Sequence, residues 1–406
     1  MSDPAQPERL SRAALERRVK RWLLRAPFDC YIQVTPGLEE LLVDELLAEG
    51  LAPHRAALNV SHGGVELRLD HADILRANLS LRTASRVLLR LGTFPAASPE
   101  MLYDRARQVP WETQIGFLER YALAITARNS KLQAGDAVAN TVASAIAREL
   151  RPLGLYPRSA DAAELTFHVR LQDDRCTVSL DTSGQHLHRR GVRTNVHTAP
   201  VRETLAAAMA LEGLARTGGT PDVVIDPFCG SGTLLIEAVD ALTHSAPGRQ
   251  REFAFEHAAW FRPGTLREVR RRSEAGVKPL RTRVIGVDND DDALAAARAN
   301  VAGAAYAEVT LQHADSTLFD FSSLVARRGL ALANLPYGVR LGDRRQAAAT
   351  TNAFLANLAA SGAPWVVVLL VADPEPALKW LEDARVTPTR NGGLPVTMVS
   401  GNLVAA

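Results

Sequence analysis

From about residue 198 onward, short apolar runs alternate regularly with amphipathic segments, and this alternation limits the possible folds more than any other feature of the sequence. The runs "DVVID", "RVIGVD", "LALAN" and "WVVVLLVA" have the length and composition of buried strands, and "GTLLIEAVDAL" and "DDALAAARANVAG" have a helical period. Such a pattern is typical of α/β proteins with a doubly wound, mostly parallel sheet. The C-terminal "PVTMVSGNLVAA" predicts an antiparallel hairpin that turns at Ser400-Gly401-Asn402.

The first half of the chain has a less regular pattern. Residues 1–27 are charged and contain a helix-like stretch, "RAALERRVKRWLLR". A strand-helix-strand-helix order then predicts a small α+β unit that ends near residue 95. A second small unit follows and finishes in a hairpin whose predicted turn is Asp173-Asp174. With 406 residues, the chain is long enough for two or three domains.

Composition argues against several classes of protein. The three cysteines, Cys30, Cys176 and Cys229, are far apart and odd in number, so they predict neither a disulfide framework nor a metal site. The apolar run at 365–372 is too short to cross a bilayer, and the first 26 residues lack the apolar core of a signal peptide. We therefore expect a cytoplasmic protein without a metal or a membrane partner.

Ligands of open parallel sheets bind beyond the carboxyl ends of the strands, and several such ends carry polar residues here. In "VVIDPFCGSGTLL", Asp226 closes a strand, and Gly230 and Gly232 allow the backbone to approach a ligand before the next helix. In "VIGVDND", Asp288 is placed to accept hydrogen bonds from ribose hydroxyls, and in "QHAD", Asp315 can accept from an adenine amino group.

The spacing of these residues favours a nucleoside cofactor without phosphates. A dinucleotide site needs a third glycine where this chain has Leu235, and an acidic residue about 20 residues onward. Asp288 instead lies 56 residues after Gly232, and no Walker lysine follows the glycines. S-adenosylmethionine is the nucleoside cofactor that fits this pattern best.

The stretch "LALANLPYGVRLG" ends another strand with Asn334-Leu335-Pro336-Tyr337. The Asn334 side-chain oxygen and the Leu335 carbonyl can each accept one hydrogen from an amino group on a nucleobase. Pro336 stiffens the turn, and the Tyr337 ring can stack on the base, an interaction worth ~1–3 kcal/mol. This arrangement would orient the nitrogen toward a sulfonium methyl group, so that alignment and charge stabilisation provide the rate.

Together these motifs resemble the amino-group methyltransferases with the motif (Asp/Asn)-Pro-Pro-(Tyr/Phe), and the chain is more closely similar to the THUMP-containing guanine-N2 RNA methyltransferases. The similarity covers "TPGLEELLVDEL", "LDTSGQHLHRRGVR", "APVRETLAAAM" and, most specifically, "DPFCGSGTLLIEA". It implies a basic tail at 1–27, a ferredoxin-like domain at 28–95, a THUMP RNA-binding domain at 96–185, and a Rossmann-like methyltransferase domain at 186–406.

The resemblance also implies roles for individual residues. The implied cofactor contacts are Thr198, Ala199, Pro200, Asp226, Phe228, Gly230, Gly232, Asp288, Asn289, Asp315 and Asn334. The implied base contacts, which form the catalytic motif, are Asn334, Leu335, Pro336 and Tyr337. Leu335 departs from the family motif by replacing its first proline, which keeps the carbonyl acceptor but makes the loop less rigid.

The sequence has two clusters of basic residues, one at Arg189, Arg190 and Arg193 and one within residues 262–283. An RNA-binding domain beside a base-methylating one gives them a role, and we expect phosphate contacts from Arg189, Arg190, Arg193, Arg270, Arg271 and Arg272. The expected partner is structured RNA, whose target guanosine is unpaired or flipped out. We also expect the protein to be a monomer.

The sequence thus predicts an S-adenosylmethionine-dependent guanine-N2 methyltransferase, closest to the bacterial enzymes that modify large-subunit ribosomal RNA. A transfer RNA enzyme that modifies a guanosine near the acceptor stem has the same motifs and stays an alternative. Methylation of adenine N6 in DNA is a further alternative, against which the THUMP-like half argues. A non-catalytic RNA-binding protein is the last, and the intact Asp226, Asp288 and Asn334 argue against it.

Overall fold

The computed structural model describes residues 10–191, 201–304, 306, 308–337 and 343–404. Within these ranges the chain forms two sheets, each flanked by helices. The first of these sheets has eight strands and the second has seven. The helices in the described part of the chain are all too short or too polar to span a lipid bilayer.

The N-terminal half builds the first sheet and its helices. Its strands are β1 Phe28–Val34, β2 Asn59–Ser61, β3 Gly64–Leu69, β4 Ala84–Pro95, β5 Arg120–Arg128, β6 Arg158–Ser159, β7 Thr166–Gln172 and β8 Arg175–Asp181. Its helices are α1 Arg12–Leu23, α2 Glu39–Ala48, α3 His71–Ser80, α4 Pro99–Ala106, α5 Trp111–Ile115 and α6 Asp136–Leu150. The helix expected in the basic tail is α1, which Ser11 caps by accepting from the Ala14 amide.

The two small units expected from the sequence share this one sheet, which has the strand order β2-β3-β1-β4-β8-β7-β5-β6. Antiparallel pairing of β4 with β8, from Leu88 opposite Asp181 to Pro95 opposite Arg175, joins the strands of one unit to those of the other. The hairpin between β7 and β8 turns at Asp173-Asp174, as predicted, and both residues have the positive φ that such a turn needs. In β7, buried side chains alternate with more exposed ones, as expected for a sheet that has one apolar face and one polar face.

The C-terminal half builds the second sheet. Its strands are β9 Val223–Asp226, β10 Arg283–Asp288, β11 Val309–His313, β12 Gly329–Asn334, β13 Trp365–Val371, β14 Leu381–Asn391 and β15 Leu394–Leu403. Its helices are α7 Glu203–Arg216, α8 Thr233–Thr243, α9 Pro263–Ala275, α10 Asp291–Gly303, α11 Asp343–Ala360 and α12 Glu375–Leu378. Strands β9 to β13 pair in parallel, which confirms the doubly wound sheet.

The strand order of the second sheet, β11-β10-β9-β12-β13-β15-β14, places the polar strand ends together. Strand β9 lies in the middle, with β10 on one side and β12 on the other, so the chain changes direction across the sheet between them. A crevice forms at such a switch point, beyond the carboxyl ends of the strands. The sheet therefore brings Asp226, Asp288 and Asn334 to one edge.

The antiparallel hairpin exists, but the prediction of its turn was wrong. The chain reverses between Asn391 and Leu394, where Gly392 has a φ of +64°, and Ser400–Asn402 lie inside β15. Gly401 fits the strand because it packs tightly on the backbone of Glu382, with no room for a side chain. The sequence pattern indicated a turn at Gly401, whereas this glycine allows two strands to pack closely.

Candidate active site

A cavity of about 340 Å³ lies at the carboxyl ends of β9, β10 and β12. It gathers many of the residues predicted from the sequence, namely Asp226, Phe228, Gly230, Asp288, Asn289, Asn334, Leu335, Pro336 and Tyr337. Residues that the sequence did not single out complete its lining, among them Val201, Cys229, Ser231 and Leu234. The four strand-end motifs are far apart in the sequence, and three of them meet here.

The two glycines after β9 have different roles. Gly230 has a φ of +50°, and a Cβ built on it would meet no atom within 4 Å, so it faces the open space of the cavity. Gly232 has a φ of +81° and precedes the first residue of α8, but it does not line the cavity. The structure shows a local role for Gly232, since glycine adopts the left-handed conformation of this turn into the helix most easily, and its implied cofactor contact stays a prediction.

Asp288 connects the glycine loop to the end of β10. Its Oδ2 accepts a hydrogen bond from the Gly230 amide at 2.8 Å, and its Oδ1 accepts from the Asp290 amide at 3.1 Å. Each carboxylate oxygen can accept more than one hydrogen bond, so Asp288 can also bind hydroxyl groups in the cavity. Helix α10 has its own cap, Asp290, which leaves Asp288 available for a ligand.

Asp226 is almost completely buried beneath the loop. Its side chain accepts a hydrogen bond from the Phe228 amide at 3.1 Å. Burial raises the pKa of Asp226 well above its usual range, the hydrogen bond from Phe228 lowers it in part, and the charge of Asp288 raises it further. A buried carboxyl with a perturbed pKa in a cleft is typical of a functional site.

Asn334 ends β12 within a hydrogen-bonded network. The Tyr337 hydroxyl donates to Asn334 Oδ1 at 2.5 Å, and Asn391 Nδ2 donates to the same hydroxyl at 3.1 Å. The next residue, Leu335, continues the strand because its amide donates to the Leu370 carbonyl. Asn391 lies 54 residues beyond Tyr337 and belongs to no motif, so no signal in the sequence indicated its presence here.

A second cavity, of about 460 Å³, shares Pro336 and Tyr337 with the first. Its polar lining comes from Arg344, Thr351 and Asp373, and the rest is mostly apolar. The exposed Pro336 and the half-buried Tyr337 therefore stand between two spaces. The first cavity is lined by the carboxylates of Asp226 and Asp288. The second is lined by the Arg344 guanidinium, the Asp373 carboxylate and the ring of Tyr337, which borders both cavities.

Some predicted cofactor residues are not brought into the first cavity. Asp315 does not line it, and its exposed carboxylate accepts hydrogen bonds from the Thr317 amide and hydroxyl at 2.8 and 2.7 Å. Thr198, Ala199 and Pro200, together with Arg193 of the predicted RNA contacts, lie outside the described residues. Across the described ranges, no group of three or more metal-ligating side chains occurs.

Arg190 was predicted to contact RNA, and its position does not fit that role. The side chain is 5% exposed, and its Nε donates to Glu237 Oε1 at 3.1 Å. It also donates to the backbone carbonyls of Leu187 and Arg82. A buried guanidinium that compensates a buried carboxylate is not available to phosphate, so Arg190 joins the two halves of the molecule.

The other predicted basic residues differ in exposure. Arg270 is half-buried and donates to the carbonyls of Arg249 and Arg251, at 2.9 and 3.0 Å, which does not fit a phosphate contact. Arg271 and Arg272 are exposed on α9 and pair with Glu268. Surface ion pairs of this kind are weak, so both side chains can exchange their partner for a phosphate. Arg189 is exposed.

A third cavity, of about 590 Å³, lies on the polar face of the first sheet and contains arginines that the sequence did not reveal. We call it the arginine groove and define it by Arg68, Arg90, Arg170 and Arg175, which come from β3, β4, β7 and β8. The groove also contains Asp29, Glu66 and Asp173, and Arg90 pairs with Glu66 at 2.5 Å. Each arginine alone is an ordinary polar residue of an alternating strand, and only strand pairing brings the four together.

Comparison with known families divides the chain into three matching parts. Residues 29–88 match the family described as the RlmL ferredoxin-like domain, and residues 96–181 match the THUMP domain. Residues 190–399, which contain the first two cavities, match the family described as RMKL-like, methyltransferase domain. The last match spans more than half of the chain.

Individual relatives agree with these families. "Ribosomal RNA large subunit methyltransferase K/L" of Syntrophotalea carbinolica is 34% identical over an alignment of 331 residues, which covers 78% of this chain and 45% of that protein. The chain thus spans less than half the length of the curated relatives it matches. The solved structure of SMU.472 complexed with SAH is 26% identical, with a TM-score of 0.81 over 93% of this chain and 98% of that one.

A second solved structure is that of a protein named as a predicted N6-adenine-specific DNA methylase from Listeria monocytogenes. It is 26% identical to this chain, with a TM-score of 0.79 over 95% of this chain and 98% of that one. The match covers both halves of the molecule, so the arrangement of an N-terminal sheet beside a methyltransferase-like sheet occurs in a solved structure as well.

Proposed function

The chain belongs to the family of RMKL-like methyltransferase domains, and from this membership we propose that it is an S-adenosylmethionine-dependent RNA methyltransferase that forms N2-methylguanosine in large-subunit ribosomal RNA. One observation carries the proposal. The segment that begins at Asn334 separates a cavity with Asp226, Asp288 and an open glycine loop from a second cavity with Tyr337 on its wall. This is the arrangement needed to bring a nucleoside cofactor and a nucleobase to the same amide.

The first cavity fits the cofactor in its donors and acceptors. Asp288 would accept from the ribose hydroxyls, and the open Gly230 would let the backbone lie close to the ligand. SMU.472, which is similar to this chain over most of its length, was solved in complex with SAH. When bound, the cofactor supplies a methyl group on a positively charged sulfur, which is already an activated electrophile. No metal is therefore required for the transfer.

Asn334 and Leu335 would orient the guanine amino group. The Asn334 Oδ1 atom accepts one hydrogen bond from Tyr337 and has capacity for a second, from the amino group. The Leu335 carbonyl would accept the other amino hydrogen, which fixes the direction of the nitrogen lone pair. These two oxygens would also stabilise the positive charge that develops on nitrogen as the new bond forms.

The second cavity and the N-terminal half support an RNA substrate. A guanosine flipped out of its helix could enter the second cavity and pack against Tyr337. The ferredoxin-like and THUMP matches, and the name of the Syntrophotalea carbinolica relative, support ribosomal RNA as the substrate. The arginine groove would then hold the phosphate backbone of this RNA, together with the exposed Arg189, Arg271 and Arg272.

We place the enzyme in the cytoplasm and propose that it acts as a monomer, which light scattering in solution would test.

The methylation of adenine in DNA is the second candidate function, because the protein from Listeria monocytogenes is named as a predicted N6-adenine-specific DNA methylase. The motif at 334–337 would suit the amino group of either base. The ribosomal relative and the THUMP match favour RNA. Transfer RNA is an alternative substrate within the same chemistry.

Nucleoside mass spectrometry of fractionated nucleic acids tests the proposal. We expect N2-methylguanosine to be lower in large-subunit ribosomal RNA from cells that lack the protein, and to return when the wild-type gene, but not Asn334→Ala, is restored. The purified protein should transfer methyl groups to unmodified ribosomal RNA. A decrease confined to transfer RNA would move the substrate to that class, and methylation of DNA but not RNA would reject the proposal.

A further inference from the structure

We propose that Asn391, at the tip of the C-terminal hairpin, is a positioning residue that fixes the orientation of the Asn334 amide through the hydroxyl of Tyr337. This inference rests on the proposed function, because it concerns how the amide meets the guanine amino group. It adds a residue from outside the strand-end motifs to the site. We call the connected groups of Arg202, Asn391, Tyr337 and Asn334 the amide relay.

The amide relay begins at a backbone N–H group, which can only donate a hydrogen bond. The backbone amide of Arg202 donates to Asn391 Oδ1 at 3.2 Å. A backbone N–H can only donate, so the oxygen of the Asn391 side chain must face Arg202, and its NH₂ group must face away. Asn391 is 9% exposed and ends β14, so the surrounding packing limits its movement.

The orientation of the Asn391 amide then determines how the Tyr337 hydroxyl forms its hydrogen bonds. Asn391 Nδ2 donates to the Tyr337 hydroxyl at 3.1 Å, so the hydroxyl oxygen acts as an acceptor toward Asn391. Its single proton is then directed to Asn334 Oδ1, at 2.5 Å. Burial raises the pKa of Tyr337 to about 12, and the hydrogen bond from Asn391 lowers it in part. The hydroxyl therefore retains this proton at neutral pH.

The last step gives Asn334 the orientation that the reaction needs. An asparagine amide can rotate by half a turn and exchange its oxygen for its NH₂ group at nearly the same position. In the exchanged orientation, two donors, the side-chain NH₂ and the guanine amino group, would face each other. The proton of Tyr337 disfavours this exchange, because it requires an acceptor at the Asn334 Oδ1 position.

Substitutions at 391 separate this role from a purely structural one. Asn391→Asp keeps an oxygen that can accept from Arg202, but the carboxylate cannot donate to Tyr337 and would attract its proton instead. We expect Asn391→Asp to lower kcat about 10- to 100-fold and Asn391→Ala about 5- to 20-fold, with the Kd for S-adenosylmethionine within about twofold of wild type. Asn402→Ala, an exposed position on the same hairpin, is the matched control and should retain wild-type kcat.

A double-mutant cycle with Tyr337→Phe tests whether Asn391 acts through the hydroxyl. In the Tyr337→Phe background, we expect Asn391→Ala to cause no further decrease in kcat, since the relay is already interrupted. A merely structural contribution of Asn391 would lower kcat by the same factor in both backgrounds, and that result would overturn the inference.

A measurement that does not depend on activity distinguishes failure of the inference from failure of the proposed function. In protein labelled with ¹⁵N-asparagine, the side-chain NH₂ signals of Asn334 are assigned by their disappearance in Asn334→Ala. We expect Asn391→Asp to shift them and Asn402→Ala to leave them in place. Unchanged signals in Asn391→Asp would overturn the amide relay, even in an active enzyme. Shifted signals would support it even if the wild-type protein methylates no guanosine, an outcome that rejects the proposed function alone.

Discussion

Asp288 accepts a hydrogen bond from the Gly230 amide at 2.8 Å, which ties the glycine loop after β9 to the end of the neighbouring strand β10. The two motifs are thus one structural unit, although 58 residues separate them. The carboxylate that we propose binds the ribose hydroxyls of the cofactor also fixes the position of the glycine loop. Substitution of Asp288 should therefore affect cofactor affinity in two ways at once.

We expect Asp288→Ala to weaken the binding of S-adenosylmethionine about 10- to 100-fold, since hydrogen bonds to a charged group contribute about 1.5–3 kcal/mol. Asp288→Asn should lie between this variant and wild type, because the amide keeps one acceptor oxygen. Isothermal titration calorimetry measures both. Asp292→Asn, at an exposed acidic position on α10, is the control. An unchanged Kd in Asp288→Ala would contradict the assignment.

Asp226→Asn should stabilise the protein in the absence of cofactor by about 1–2 kcal/mol, because it removes a carboxylate that is costly to bury and keeps an oxygen for the Phe228 amide. Burial raises the pKa of Asp226 in the folded state. Below the pKa of the unfolded state, Asp226 is protonated in both states and does not destabilise the fold. As the pH rises from there toward the folded-state pKa, Asp226 lowers the free energy of unfolding progressively. The stability difference between the variant and wild type should therefore increase from pH 5 to pH 8. Chemical denaturation at both pH values measures it, and a variant less stable than wild type at pH 8 would contradict the prediction.

Asn334→Ala should reduce kcat for RNA methylation by at least about 100-fold, since it removes the acceptor that we propose orients the guanine amino group. The affinity for S-adenosylmethionine should remain within about threefold of wild type, because the carboxylates and the glycine loop are unchanged. Single-turnover kinetics and calorimetry measure the two quantities. Near-normal turnover in this variant would refute the role of the amide.

Arg190→Ala should destabilise the protein by about 3–5 kcal/mol, because it leaves Glu237 buried without its partner. Arg189→Ala, at the exposed neighbouring position, should change the free energy of unfolding by less than about 0.5 kcal/mol. Burial already raises the pKa of Glu237, and removal of Arg190 should raise it further, so the destabilisation should be smaller at pH 5 than at pH 8. Equal stability of the two variants would show that the buried pair is unimportant.

Replacement of Arg170 and Arg175 by glutamine should weaken RNA binding and lower the dependence of log K on log salt by about 1 for each phosphate that the variant no longer neutralises. The pair Arg271→Gln and Arg272→Gln on α9 serves as a comparison, because these arginines were predicted from the sequence. Fluorescence anisotropy over a range of salt concentrations measures both slopes. If only the α9 variant changes the slope, the arginine groove is not part of the RNA site.

Local patterns were sufficient for much of the second sheet and its site. Each strand and the loop after it are encoded in a short continuous segment, so Asp226, Gly230, Asp288 and Asn334 could be placed at strand ends. The ends of parallel strands meet at one edge, which made their assembly into a cavity predictable. The hairpin turn at Gly392 was missed because a glycine can mark either a turn or a close approach of two backbones.

The sequence by itself determined which segments are strands and which loops carry acceptors, because alternating apolar periods and turn residues act over a few positions. Only the tertiary structure decided that Arg190 is buried while Arg271 is exposed, since both lie in equally basic segments and differ only in what packs on them. It also decided that Asn391 reaches Tyr337 and that arginines from β3, β4, β7 and β8 form one groove. Those relationships depend on long-range pairing, for which neighbouring residues contain no signal.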